Sequence, residues 1–197
     1  MPNRMEARSR SRLLAAALAA IVVGGGGRSA RADVEAEKQA LVMLRVLAYD
    51  HALASRSGPT VRLAVVHGES AASLSCAGRM RAVFERLVKR VVVTGKRLEV
   101  DTIAVAQLTE QTLAGRRVSV LYVCRGSERD VPLIAKAARA AQALSFTDQE
   151  TYLQLGLSIA LSAGETKIGI SVNLVAARAE GARLAGQLLQ LSKVVSR

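Results

Sequence analysis

Few residues in this 197-residue chain have the type and spacing to do chemistry. There are two histidines, His51 and His67, and two cysteines, Cys76 and Cys124. His67 closes the apolar run "VRLAVVHG" and would stand at the carboxyl edge of a strand. A single imidazole there reads as a loop residue rather than a general base. The "HGES" around it lacks the Gly-x-Ser-x-Gly spacing that exposes a nucleophilic serine on a strained elbow. "VTGKR" ends like a phosphate loop, yet it has no first Gly at the required distance and no Ser or Thr after Lys96. Asp148 and Glu150 form an acidic pair that a turn or helix cap explains better than paired general acids. No Cys/His group has metal-ligand spacing. An enzyme is therefore not expected, nor a metal or cofactor.

The elements that would carry these residues follow from hydrophobic period. Residues Ala40, Leu41, Leu44, Leu47 and Ala48 recur at helical spacing, with Asp33, Glu35 and Glu37 favouring a helix start before them. "VRLAVVHG" and "RVSVLYVC" are short β-branched runs and read as buried strands. Between them, Met80, Val83, Phe84, Leu87 and Val88 share one helical face, and "VVVTGKRLEVDTIA" holds one or two strands. Pro132 suits the first turn of the next helix, where its missing N–H costs least. "LSFTD" is a further strand. The segments around Ile159 and Ile170 alternate across the turn at Ser162–Glu165, which predicts an antiparallel hairpin. Strands alternating with helices predict an α/β three-layer sandwich: a mixed, mainly parallel sheet of five to six strands, closed by the hairpin and a C-terminal helix. The core must be aliphatic, because only 3% of residues are aromatic.

The first residues stand apart. Arg4, Arg8, Arg10 and Arg12 precede an apolar run, Leu13 to Val23, and "ARA" ends at Ala32. This is the three-part pattern of a secretory signal. Eleven apolar residues rise only about 17 Å as a helix, against about 30 Å of hydrocarbon. The expectation is a signal peptide over 1–32, Sec-type export to the periplasm, and one domain over 33–197. Of the formal net charge of +12, residues 1–32 hold six arginines and one glutamate, leaving +7 on the rest. The cations that remain, such as Arg79, Arg81, Lys89, Arg90, Arg116 and Arg117, have no interleaved aromatics for stacking bases, so nucleic acid is not expected as a partner.

Export bears on the cysteines. Cys124 ends a strand, and Cys76 lies in the connection after the previous clear strand, so a parallel sheet puts both at its carboxyl edge. Neighbouring strands would bring them within bridging distance in an oxidising compartment. A Cys76–Cys124 disulfide is expected.

The last third carries a resemblance. "ALSFTD", "GLSIAL" and "KIGISVNLVAARAEGARLAGQLLQLSKVV" resemble the YfiR-like (YfiR/HmsC-like) periplasmic proteins. The matching residues are Gly156, Ile159, Ile170, Asn173, Leu174, Ala177, Arg178, Gly181, Leu188, Leu189 and Leu191. The resemblance implies a structural role for them. Asn173 would cap a helix, Gly181 would end it, and Leu184, Leu188, Leu191 and Val195 would form one stripe over the sheet. It further implies a periplasmic regulator that binds the sensory domain of an inner-membrane diguanylate cyclase, or another inner-membrane sensor protein, and lowers cyclic di-GMP and biofilm formation. A homodimer is left open. The alternatives are a periplasmic small-ligand binder, with its cleft near His67, Cys76 and Arg125, and an undetected hydrolase.

Overall fold

A computed structural model describes residues 26–164 and 167–195. The frame is a seven-stranded sheet in the order β2-β1-β3-β4-β5-β6-β7. Its strands are β1 (Thr60–His67), β2 (Arg97–Ala104), β3 (Val120–Val123), β4 (Leu144–Thr147), β5 (Ile159–Ala163), β6 (Ile168–Asn173) and β7 (Lys193–Val195). Strands β1 to β5 are parallel, β5 and β6 form the antiparallel hairpin, and β7 is parallel to β6.

Alternate strand residues point to opposite faces, and each face has its own helical cover. Val61, Leu63 and Val65 pack with α1 (Gly26–Leu47) and α3 (Ala71–Leu87), through Met43, Leu47, Met80 and Phe84. Ala64 and Val66 pack on the other side with α4 (Glu110–Gly115) and α5 (Val131–Ala140), through Leu113, Ile134 and Ala138. β3 and β4 are buried along their whole length, as strands covered on both faces must be. Phe84 meets Tyr122 edge to face, with ring centroids 6.2 Å apart. Pro132 sits in the first turn of α5, and the short α6 (Thr151–Gln154) lies between β4 and β5.

The terminal module locks onto the start of the fold. Asn173 Oδ1 accepts from the Ala176 N–H at 3.0 Å and so caps α7 (Leu174–Ala179), while its Nδ2 donates to the Leu153 carbonyl at 2.9 Å. Gly181 has φ +78°, and a Cβ there would lie 3.1 Å from Arg56 Cδ. The chain then reaches the turn between α1 and α2 (Leu53–Arg56). The Arg183 N–H donates to Asp50 Oδ1 at 2.8 Å, the His51 N–H to the Arg183 carbonyl at 3.0 Å, and the Ala185 N–H to the Tyr49 carbonyl at 2.9 Å.

Two expectations are corrected here. The sheet has seven strands rather than five to six, and the C-terminal helix does not close the chain but leads into a last strand, β7. α8 covers only Gly186–Gln190. Ser192 Oγ donates to the Leu188 carbonyl at 2.7 Å, and Lys193–Val195 then adds to the open edge of β6. Unpaired backbone along that edge offers partners that a further helical turn would forgo. The Leu stripe is therefore broken: Leu188 is buried, but Leu191 is 74% exposed and Val195 lies in a strand. The expected signal segment lies outside the described residues up to position 25. α1 already begins at Gly26, so cleavage after Ala32 would fall within it. Among the described residues, no helix is long and apolar enough to cross a membrane.

Candidate functional site

Parallel strands leave a crevice beyond their carboxyl ends, where the connecting chains part to opposite faces. Here that end carries a groove of about 570 Å³ between α1 and α3. One wall is Glu35, Ala36 and Gln39 of α1, and the other is Ala72, Cys76, Arg79 and Met80 of α3. The floor is Tyr122 of β3, Arg125 just after it, and Asp148 just after β4.

Local chemistry holds each wall in place. Ser70 caps α3 by accepting the Ser73 N–H at 3.1 Å. The Gly68 N–H donates to Ser73 Oγ at 2.9 Å and to Ser127 Oγ at 3.2 Å, which ties the end of β1 to α3 and to the loop after β3. Gly126, with φ +78°, lets that loop approach: a Cβ there would stand 2.5 Å from Ser70 Oγ. The Ser127 N–H donates to the buried Tyr152 hydroxyl at 3.1 Å. Gln39 Nε2 donates to the Leu161 carbonyl at 3.2 Å and pins α1 to β5.

Charges meet on the floor. The Arg125 guanidinium pairs with the buried Asp148 carboxylate, and Gln149 Nε2 also donates to Asp148 at 3.1 Å. On the rim, Arg79 pairs with Asp33 at 3.5 Å. Glu35 Oε1 is buried in the groove wall without a hydrogen-bond partner. Burial, with Asp148 nearby, pushes the Tyr122 hydroxyl well above its ordinary range.

Cys76 and Cys124 come together. Both are buried free thiols. The contact between the two thiols lowers the Cys76 pKa and, together with burial, raises that of Cys124.

Other candidates lie elsewhere. His67 Nδ1 turns back onto the Gly68 carbonyl at 3.0 Å and does not line the groove. Asp148 and Glu150 diverge: Glu150 accepts from Lys193 at 2.7 Å and from Ser171 at 3.2 Å, and the lysine bond lowers its pKa. None of the motif residues of the last third lines the groove. Ile159, Ala177 and Leu188 are core, Leu174 and Leu189 are half-buried, and Arg178 is exposed. Gly156 has φ +105°, with Arg139 and Ala135 crowding the place of a Cβ. Sequence reasoning missed Gln39, Met80 and Asp148 as parts of one groove. Only their helical faces and strand ends signalled them.

The fold is shared by solved structures of low identity. A conserved domain protein from Vibrio cholerae superposes with a TM-score of 0.57 at 13% identity, over 82% of this chain and 60% of that one. A substrate binding protein with adhesive properties from Clostridium difficile gives 0.52 at 14%, over 74% and 57%. An ABC domain from Streptococcus pneumonia, in complex with L-Trp, gives 0.50 at 9%, over 76% and 60%. The chain thus spans about 60% of the length of these structures. No curated protein matches it. A family model described as YfiR/HmsC-like matches residues 39–193, from the middle of α1 to the start of β7, and the chain belongs to that family.

Proposed function

We propose that this protein is a periplasmic regulator that binds the periplasmic sensory domain of an inner-membrane diguanylate cyclase and holds it inactive, lowering cyclic di-GMP and biofilm formation. The family match over residues 39–193 carries this reading, since the family is regulatory rather than catalytic and acts in cyclic di-GMP signalling. Deleting the gene is expected to raise cyclic di-GMP and surface attachment, and deleting the cognate cyclase as well should abolish the rise. Unchanged cyclic di-GMP in the single deletion, with the protein normally expressed, counts against the reading.

The groove supports a second reading, a small-ligand binder. Cys76 and Arg125 do line a cleft at the carboxyl edge, though His67 does not. Calorimetric screening of periplasmic metabolites against the protein and its Arg125→Ala variant separates the two readings. A ligand lost in the variant favours the second, while a regulator acting by contact alone shows none.

A further inference from the structure

The two edges of the sheet carry opposite charge. Strands β1 to β4 all begin on one side, and a cation stands at or just before the start of each: Arg56 before β1, Arg97 opening β2, Arg117 before β3 and Arg139 before β4. At the other edge a carboxylate follows each strand: Glu69, Glu110, Glu128 and Asp148. The connection from α3 to β2 concentrates the positive charge. Residues 86–97, "RLVKRVVVTGKR", hold Arg86, Lys89, Arg90, Lys96 and Arg97 and no carboxylate. We propose that this cationic edge, with the α3–β2 turn at its tip, is a docking surface for an anionic lipid bilayer. This goes beyond the regulatory reading and does not rest on it.

The turn protrudes. The Val93 N–H donates to the Lys96 carbonyl at 3.0 Å and the Lys96 N–H to the Val93 carbonyl at 2.9 Å. Between them Thr94 and Gly95 have φ of +51° and +77°, the left-handed pair that a tight hairpin turn requires. A Cβ at Gly95 would meet nothing within 4 Å, nor would one at Gly58 in the turn before β1. Lys96 fastens the two turns together, its Nζ donating to the Gly58 carbonyl at 2.5 Å and to the Ala54 carbonyl. Val93 is buried beneath, while Val92 beside it is 66% exposed.

Cations around an apolar point suit a bilayer surface. Lys89, Arg90, Arg97 and Arg117 are exposed and enter no ion pair among the described residues. The dipole of α3 favours cations at its own end, but Arg97 opens a strand and is not accounted for in that way. Long cationic side chains can lay their stems along the headgroup boundary while Val92 enters it. An acidic protein surface would instead need carboxylates set against cations held in fixed positions. Residues 86–97 have no aromatic side chain to stack a base. Near an anionic surface each Lys or Arg strengthens partitioning by about five-fold, and salt screens the effect.

The test is sedimentation of the protein, purified from the periplasmic fraction, with lipid vesicles. Phosphatidylcholine vesicles should leave it in the supernatant. Vesicles that also contain phosphatidylglycerol should carry it down at low salt and release it at high salt. Replacing Lys89→Gln and Arg90→Gln together should weaken partitioning about 25-fold. Arg129→Gln, an exposed cation at the opposite edge, should leave it nearly unchanged. Val92→Trp places one tryptophan in a chain that has none, and its emission should shift to the blue with the anionic vesicles alone. All four side chains are exposed, and unchanged thermal unfolding checks that the variants fold. No sedimentation with anionic vesicles overturns the proposal and leaves the edge to an acidic protein surface. Equal sedimentation with neutral vesicles overturns it too, as does an equal loss in Arg129→Gln, which would assign binding to net charge. Release by inorganic phosphate beyond that by chloride at equal ionic strength would mark a phosphate site instead and also overturn it.

Discussion

Cys124 at the end of β3 and Cys76 on α3 are two buried free thiols that perturb each other, so residues far apart in the chain share one contact beside the groove. That contact makes Cys76 the more acidic thiol, and Cys76 is also the one that lines the groove. Protein taken from an oxidising periplasm and denatured without reductant is expected to show no titratable thiol, the pair having closed. Loop closure would contribute roughly 4 kcal/mol at most. Two reactive thiols per chain would mean that the bridge does not form. In the reduced native protein, iodoacetamide should label Cys76 before Cys124.

A second prediction concerns Asp50. Its carboxylate is fully buried against Arg56, which is itself only 8% exposed, and it also accepts the Ala52 and Arg183 N–H groups. Asp50→Ala would strand a buried guanidinium and unlatch the terminal module. A loss of about 3–5 kcal/mol is expected in urea unfolding. A loss below about 1 kcal/mol would show the latch to be idle.

The third prediction is a pH dependence. Glu180 is fully buried at the end of α7 and accepts from the Ser145 N–H at 2.8 Å, from Ser145 Oγ at 2.7 Å and from Ser158 Oγ. Burial pushes its pKa up to about 7, and the three donors offset that only in part. The folded state therefore holds a proton that the unfolded chain has lost. Stability from this group is complete below about pH 4.5 and declines as pH rises to about 7, above which it is level. The span corresponds to about 3 kcal/mol. In Glu180→Gln, urea midpoints at about pH 5 and about pH 8 should lie closer together than in the wild type. An unchanged gap would assign the dependence to other groups.

The fourth separates two leucines. Leu188→Ala should cost about 2–5 kcal/mol because Leu188 is in the core. Leu191→Ala should fall within about 0.5 kcal/mol because Leu191 faces solvent. Thermal unfolding of both variants checks the contrast, and equal losses would mean that one helix carries both side chains.

Much of the architecture was legible in the sequence because it depends on local pattern. The β-branched runs at Val61–Val66 and Val118–Val123 and the alternation through Ile159 and Ile170 require strands. Asn173 and Pro132 mark helix starts through the chemistry of a side chain and a ring. The same locality misled at the end of the chain. Leu184, Leu188, Leu191 and Val195 keep helical spacing, but whether Val195 continues a helix or joins a sheet depends on the open edge of β6, which no local window contains.

The sequence by itself determined the layer order, the hairpin and the caps, since each is set by residues within a few positions of one another. Only the tertiary structure decided the site. Glu180 reads as a surface residue in "AARAEGARL", yet the packing of α7 under β4 and β5 buries it against Ser145 and Ser158. Cys76, Met80, Arg125, Asp148 and Gln39 become one groove because parallel strands end on the same side and α1 crosses over them beside α3. The physical reason is range: hydrophobic period and hydrogen-bond caps act over a turn or two, whereas the groove forms from burial shared by elements distant in the chain.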